Sequence, residues 1–155
     1  MRAGRRIFIG LLAAAALLMV GTSPAQAKTM RFEATFDESS CLPVITPFCG
    51  TGFVAQFGRA SLDAPEPFPD PFCTSLGLRR RATIVVSGGT LSVCQIGFFL
   101  PPNGARTFLS GPFTVMSGTG VFAGASGGGN HTCEVITLGS RFIARCQYSG
   151  TLTLP

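Results

Sequence analysis

The clearest periodicity in the chain lies in "MRFEATFD". Met30, Phe32, Ala34 and Phe36 share one face, and Arg31, Glu33, Thr35 and Asp37 share the other. A period of two is that of a strand with one buried side. Pro43 and Pro47 then break the pattern into a loop. The segment "TGFVAQFGR" predicts a second strand, with Phe53, Ala55 and Phe57 on one face. Pro65, Pro67, Pro69 and Pro71 follow at every second position. Proline cannot donate to a β-ladder, so residues 62–73 are predicted to form an extended surface loop pinned by Cys73.

Further strands are predicted in "RATIVVSGG" and "TLSVCQIGFFL", joined by a tight turn at Ser87-Gly88-Gly89. "ARTFLSG" and "PFTVMSG" read as two short strands on either side of Gly111-Pro112. "HTCEVIT" and "RFIARCQYSGTLTL" read as a hairpin around Leu138-Gly139-Ser140-Arg141. That connection sets a register. Thr137 faces Phe142, Val135 faces Ala144, Cys133 faces Cys146, Ile136 faces Ile143 and Glu134 faces Arg145. A single register that sets cysteine against cysteine and acid against base is self-consistent, and it predicts a Cys133–Cys146 disulfide and a Glu134–Arg145 pair. Closing such a loop contributes about 3 kcal/mol in the chain-entropy model. In the last strand Phe142, Ala144, Cys146, Tyr148, Gly150 and Leu152 point inward. About eight strands at short spacing predict an all-β sandwich or small closed barrel.

The N-terminal pattern is different. Arg2, Arg5 and Arg6 precede an apolar run from Ile7 to Val20, which closes on Ala25-Gln26-Ala27. This is the layout of a signal peptide, and the run is short for a membrane span of about 20 residues. The expected organisation is a signal peptide over 1–27 and one β-barrel domain over 28–155, delivered to the cell surface, the periplasm or the medium. The leader also alters the charge balance. The sequence has 12 basic and 7 acidic residues; without the three leader arginines the balance is nine against seven. So small an excess gives no reason to expect nucleic acid as a partner.

All six cysteines lie beyond the leader: Cys41, Cys49, Cys73, Cys94, Cys133 and Cys146. An even number in an exported chain reads as disulfides. For Cys41, Cys49, Cys73 and Cys94 the pairing is left open by the sequence. There is no CxxC pair, and His131 is the only histidine, so neither a metal site nor a cofactor is expected.

The stretch "SGTGVFAGASGGG", Ser117 to Gly129, contains six glycines. A phosphate-binding loop needs a lysine here, and a dinucleotide site needs a following helix. Three consecutive glycines are too costly for a helix, and no lysine is near. The stretch is therefore expected to form a turn and plug between strands. Gly118, Gly120 and Gly124 supply the turn, and Phe122 packs under a barrel end.

Gly118, Thr119, Gly120, Phe122, Gly124, Ala125 and Gly127 resemble the signature of the allene oxide cyclase-like and dirigent-like β-barrels. The resemblance covers roughly residues 107–153. It implies an antiparallel eight-stranded barrel with an apolar cavity, here stapled by disulfides, and it carries over no catalytic residue. Phe32, Phe36, Phe113, Phe142 and Tyr148 are the candidate cavity lining.

Chemistry is sparse. His131 abuts the glycine-rich stretch and is expected in an exposed turn. The acids are Glu33, Asp37, Glu38, Asp63, Glu66, Asp70 and Glu134, with no Ser–His–Asp set to organise them. Arg79-Arg80-Arg81 is the densest charge cluster and is expected as a charged strand edge. The leading expectation is a non-catalytic barrel of binding or structural role, holding a small apolar ligand. One alternative is a cyclase- or isomerase-type enzyme acting on such a ligand. The other is a cell-surface interaction protein that uses the proline loop and the arginines.

Overall fold

The computed structural model describes residues 26–41, 48–64, 73, 78–100, 106–138 and 141–155. The apolar leader and most of the proline stretch lie outside the described residues. Among those described are eight strands: β1 (Lys28–Ser40), β2 (Phe48–Val54), β3 (Gly58–Ala64), β4 (Leu78–Val86), β5 (Gly89–Phe99), β6 (Arg106–Gly118), β7 (Ser126–Leu138) and β8 (Arg141–Leu154). Each pairs antiparallel with the next, and β8 returns to β1, so the sheet closes into a barrel. Closure removes both sheet edges, which would otherwise expose unpaired backbone groups.

The β1 alternation is as expected. Phe32, Ala34 and Phe36 are buried. The β7–β8 register is also the predicted one, including Cys133 opposite Cys146 and Glu134 opposite Arg145. The Cys133–Cys146 disulfide forms, and the other two join Cys41 to Cys49 and Cys73 to Cys94.

Four elements differ from the reading of the sequence. First, "TGFVAQFGR" is a hairpin. Gln56 and Gly58 take positive φ, +70° and +83°, and reverse the chain after Val54. The inward face of β2 carries Gly50 and Val54, and Phe53 is left 54% exposed. Second, Leu62, Asp63 and Ala64 belong to β3, with Leu62 and Ala64 in the core, so the proline-rich excursion begins later than position 62. Third, β6 runs unbroken through Gly111-Pro112. Pro112 keeps its place opposite Asn130 of β7. Towards β5 the described pairs stop at Gln95–Phe113 and resume at Phe98–Ser110. The missing donor falls in that gap, so a strand tolerates the proline.

Fourth, Gly127, Gly128 and Gly129 are part of β7, not of a turn. They have a packing role. Phe32 pairs with Gly150, Gly150 with Gly129, and Gly129 with Phe113. The Phe32 and Phe113 rings approach to 5.7 Å between centroids along this row. A Cβ on Gly129 would lie 2.2 Å from the Ser149 carbonyl oxygen, so no larger residue fits the wall there.

The two barrel ends are built differently. One end carries the short connections at Ala55–Phe57, Ser87–Gly88 and Thr119–Ala125. Gly120–Phe122 forms a single 3-10 turn there. Gly120 and Gly124 have φ of +59° and +75°, as a sharp turn requires. Gly118 serves by close approach instead, since a Cβ would meet the Phe122 carbonyl oxygen at 2.3 Å. Phe122 is 1% exposed and packs on Phe57 with centroids 4.6 Å apart. The plug is therefore where the sequence placed it. The opposite end receives the connections over 41–47, 65–77, 100–105 and 139–140.

A candidate polar site inside the barrel

Beyond the aromatic rows, towards the end with the longer connections, the barrel interior is polar. Strand parity explains how. On β1 the inward series 32, 34, 36 continues to Glu38, which is 2% exposed. On β4 the inward residues Ala82 and Ile84 continue back to Arg80. On β5 Leu91 and Val93 lead to Gln95, and on β8 the series reaches Tyr148. Gly50 faces Glu38 across the β1–β2 ladder. Its missing side chain leaves room for the acid, since a Cβ would sit 3.1 Å from the Glu38 Cγ.

These four side chains form a closed hydrogen-bonded ring. Arg80 Nη2 donates to Glu38 Oε2 at 2.7 Å and to Oε1 at 3.0 Å. Arg80 Nε donates to Gln95 Oε1. Gln95 Nε2 donates to the Tyr148 hydroxyl at 2.7 Å, and that hydroxyl donates to Glu38 Oε1 at 3.4 Å. The Arg80 guanidinium also lies over the Phe48 ring, 5.3 Å from its centroid. Burial alone would lower the pKa of Arg80. The Glu38 and Tyr148 oxygens outweigh that, and the guanidinium is held above its ordinary value. Burial, and then the Glu38 charge, push the Tyr148 hydroxyl up, so it remains a neutral donor.

His131 adjoins this ring. It is Tyr148's partner across the β7–β8 ladder, and the two rings stack with centroids 5.7 Å apart at 20°. It is 2% exposed, which corrects the expectation of an exposed turn residue. Its parity is that of Cys133, inward on a strand. Burial, and then the Arg80 charge, lower its pKa to about 4, so the ring is uncharged at neutral pH. Its Nδ1 is buried without a hydrogen-bond partner.

Three further expectations about charge change. Arg80 turns inward, with a side chain only 12% exposed, so Arg79-Arg80-Arg81 is not one surface cluster. Arg79 instead donates to the Cys73 carbonyl at 3.1 Å. Glu134 and Arg145 are cross-strand neighbours, but each bonds another strand. Arg106 pairs with Glu134 at 2.5 Å, and Arg145 with Asp37 at 3.0 Å.

Four of the five aromatic candidates meet inside the barrel. Phe36 and Phe113 both pack on Tyr148, with centroids 5.7 and 5.8 Å away, and Phe32 packs on Phe113. Phe142 stands apart, half-buried against Phe48. Cys133 Sγ, Cys146 Sγ and a Glu38 oxygen lie within 4.8 Å of one another. The two sulfurs are bonded together, so neither is a thiolate and the trio forms a wall of the site. Glu38, Arg80, Gln95 and His131 were not singled out from the sequence as site residues. Extending the alternation of β1 and β4 by one step places Glu38 and Arg80 inside, and Gln95 and His131 already stand on the inward parity of the predicted strands.

Neither a comparison with protein-family models nor searches of curated proteins and of solved structures give a match to this chain. Among the described residues, no helix is long and apolar enough to cross a membrane.

Proposed function

We propose that this chain is an exported binding barrel of the allene oxide cyclase-like and dirigent-like kind, without catalysis of its own. It takes a small ligand with an apolar body from the end with the longer connections. Three disulfides in so small a barrel fit an oxidising compartment. The observation that carries the reading is the Glu38–Arg80–Gln95–Tyr148 ring inside an aromatic-lined barrel whose other end is plugged. A buried ion pair adds little or no net stability compared with apolar side chains of similar size. A fold that needed only a core would be as well served by aliphatic residues at those positions. A few convergent polar groups against an aromatic lining are instead the usual make-up of a small-molecule site.

Native mass spectrometry of protein secreted into its own culture medium tests this. A retained small molecule, lost on denaturation, is the expected result. A clean apoprotein that also fails to bind an environment-sensitive apolar dye overturns the proposal.

An enzymatic reading has one observation in its favour. Glu38 is an inward-facing acid hydrogen-bonded to Tyr148, the kind of pair that moves protons in isomerisation. It would be supported by a retained ligand that changes chemically with time in the wild type but not in Glu38→Gln.

A further inference from the structure

Exposed apolar side chains occur on the barrel in two arrangements. Phe53 stands between Thr35 and Arg59 of the neighbouring strands, and Val85 between Ser61 and Thr90. Single apolar residues among polar ones are ordinary on a protein surface. Phe98, Phe99 and Leu100 are different, because they are consecutive and all exposed, Phe99 most of all at 63%. They lie where β5 has outrun β4, whose outermost pair with it is Leu78–Gly97. The ladder to β6 continues. Phe98 pairs with Ser110, Phe99 with Leu109, and the Leu100 N–H donates to the Phe108 carbonyl at 2.8 Å. Strand alternation puts Phe98, Leu100 and Phe108 on the outer face of this hairpin end and Phe99 on the inner face. Leu109 is packed against the core, but Phe99 beside it stands clear. A flat protein partner covers one face of a hairpin, whereas a medium that surrounds it covers both. The rest of the outer wall is unsuited to a spanning barrel. Arg31 and Asp37 on β1, and Arg145 and Gln147 on β8, are exposed on the outward face, where a membrane-crossing barrel carries an apolar band. Lipid contact is thereby limited to the hairpin end.

We propose that the end of the β5–β6 hairpin docks on a phospholipid bilayer surface. Phe98, Phe99 and Leu100 insert to the boundary of headgroups and acyl chains, and the barrel stays outside. Arg106, the cation on this hairpin end, is already paired with Glu134. The attraction is therefore apolar rather than ionic, and zwitterionic and anionic surfaces are both bound. Docking goes beyond the binding reading above and does not depend on it. It turns the end with the longer connections towards the lipid.

The test is flotation of the closed barrel, residues 28–155, with vesicles of phosphatidylcholine alone and of phosphatidylcholine mixed with phosphatidylglycerol. Residues 1–27 are left out because an apolar leader binds lipid by itself. The wild type should float with both, and raising the salt should change its affinity less than about twofold. Phe98→Ser with Phe99→Ser should weaken binding roughly a hundredfold, the loss of two half-exposed phenyl rings from the apolar contact. Phe53→Ser removes a similarly exposed phenyl ring elsewhere on the wall and should leave binding unchanged. Phe99→Trp gives the chain its only tryptophan. Its emission should shift to the blue on vesicles and be quenched by brominated acyl chains, which reports insertion even if the serine variant fails to fold. A wild type that floats with neither vesicle overturns the proposal. So does binding to the anionic vesicles alone that high salt abolishes. Dimers in solution that the serine pair turns into monomers, with no vesicle binding, overturn it in favour of a second copy of the chain as the occupant.

Discussion

The two halves of the barrel interior are filled with opposite chemistry. At the end of the short connections the chain turns Phe122 inward, with Phe57 against it, and the seal is apolar. Towards the other end the interior is occupied by an acid, a guanidinium, an amide and a phenol bonded in a ring. Apolar closure gains stability in proportion to the area removed from water. A polar interior gains little, because desolvation offsets most of the Coulomb attraction. The two seals in one small barrel therefore differ in what each contributes to stability.

That contrast can be broken from either side. Phe122→Ala should have the largest effect, a loss of about 4 kcal/mol of unfolding free energy in a denaturant titration, from lost burial and the cavity left behind. No second substitution at the polar end should restore it. Arg80→Met should cost about 3 kcal/mol, because it leaves the Glu38 carboxylate buried and unpaired. Here a second substitution should help: Arg80→Met with Glu38→Leu should recover most of the loss or exceed the wild type. A double variant as unstable as the single one would show that the ring is structural, and would remove the contrast between the ends.

His131 sharpens the comparison through pH. Its folded pKa, about 4, lies below the ordinary value of 6.5, so the unfolded chain takes up its proton first as pH falls. The stability that neutral His131 contributes is fully present above about pH 6.5 and is lost progressively down to about pH 4. The loss is about 3 kcal/mol over that window. Denaturant midpoints measured from pH 7 to pH 4 should therefore fall less steeply for His131→Phe than for the wild type. The smallest effect belongs to the outer wall. Arg145 and Asp37 pair with side chains 72% and 66% exposed, and Arg145→Ala should leave the denaturant midpoint unchanged within error.

Much of the barrel was legible in the residues. Period-two alternation in β1 and β8 fixed which side chains face inward. The four-residue connection after Thr137 fixed the β7–β8 register, and with it the Cys133–Cys146 disulfide. Glycine-rich turn chemistry placed Phe122 as a plug. Each of these is decided over a few neighbouring positions, where the rules of strand geometry act directly.

Other features depend on residues far apart in the chain. Whether Pro112 ends a strand depends on which neighbour needs its N–H, and only the assembled sheet supplies the gap beside β5. Glycines 127–129 resemble a loop until Gly150 and the Phe32 and Phe113 rings are packed beside them. The pairing of Cys41 with Cys49 and of Cys73 with Cys94 required the barrel to bring them together. The polar ring is the sharpest case. Arg80 reads as one of three adjacent surface charges, and Glu38 as one of two adjacent acids. Parity alone points each inward, but a buried charge is admissible only with its partner in reach. The two partners lie 42 residues apart in sequence, and strand closure is what brings the guanidinium onto the carboxylate. The sequence alone therefore determined the inward faces of β1 and β8 and one hairpin's register, because these follow from local period and turn geometry. The tertiary structure decided where charge could be buried, because that depends on long-range compensation.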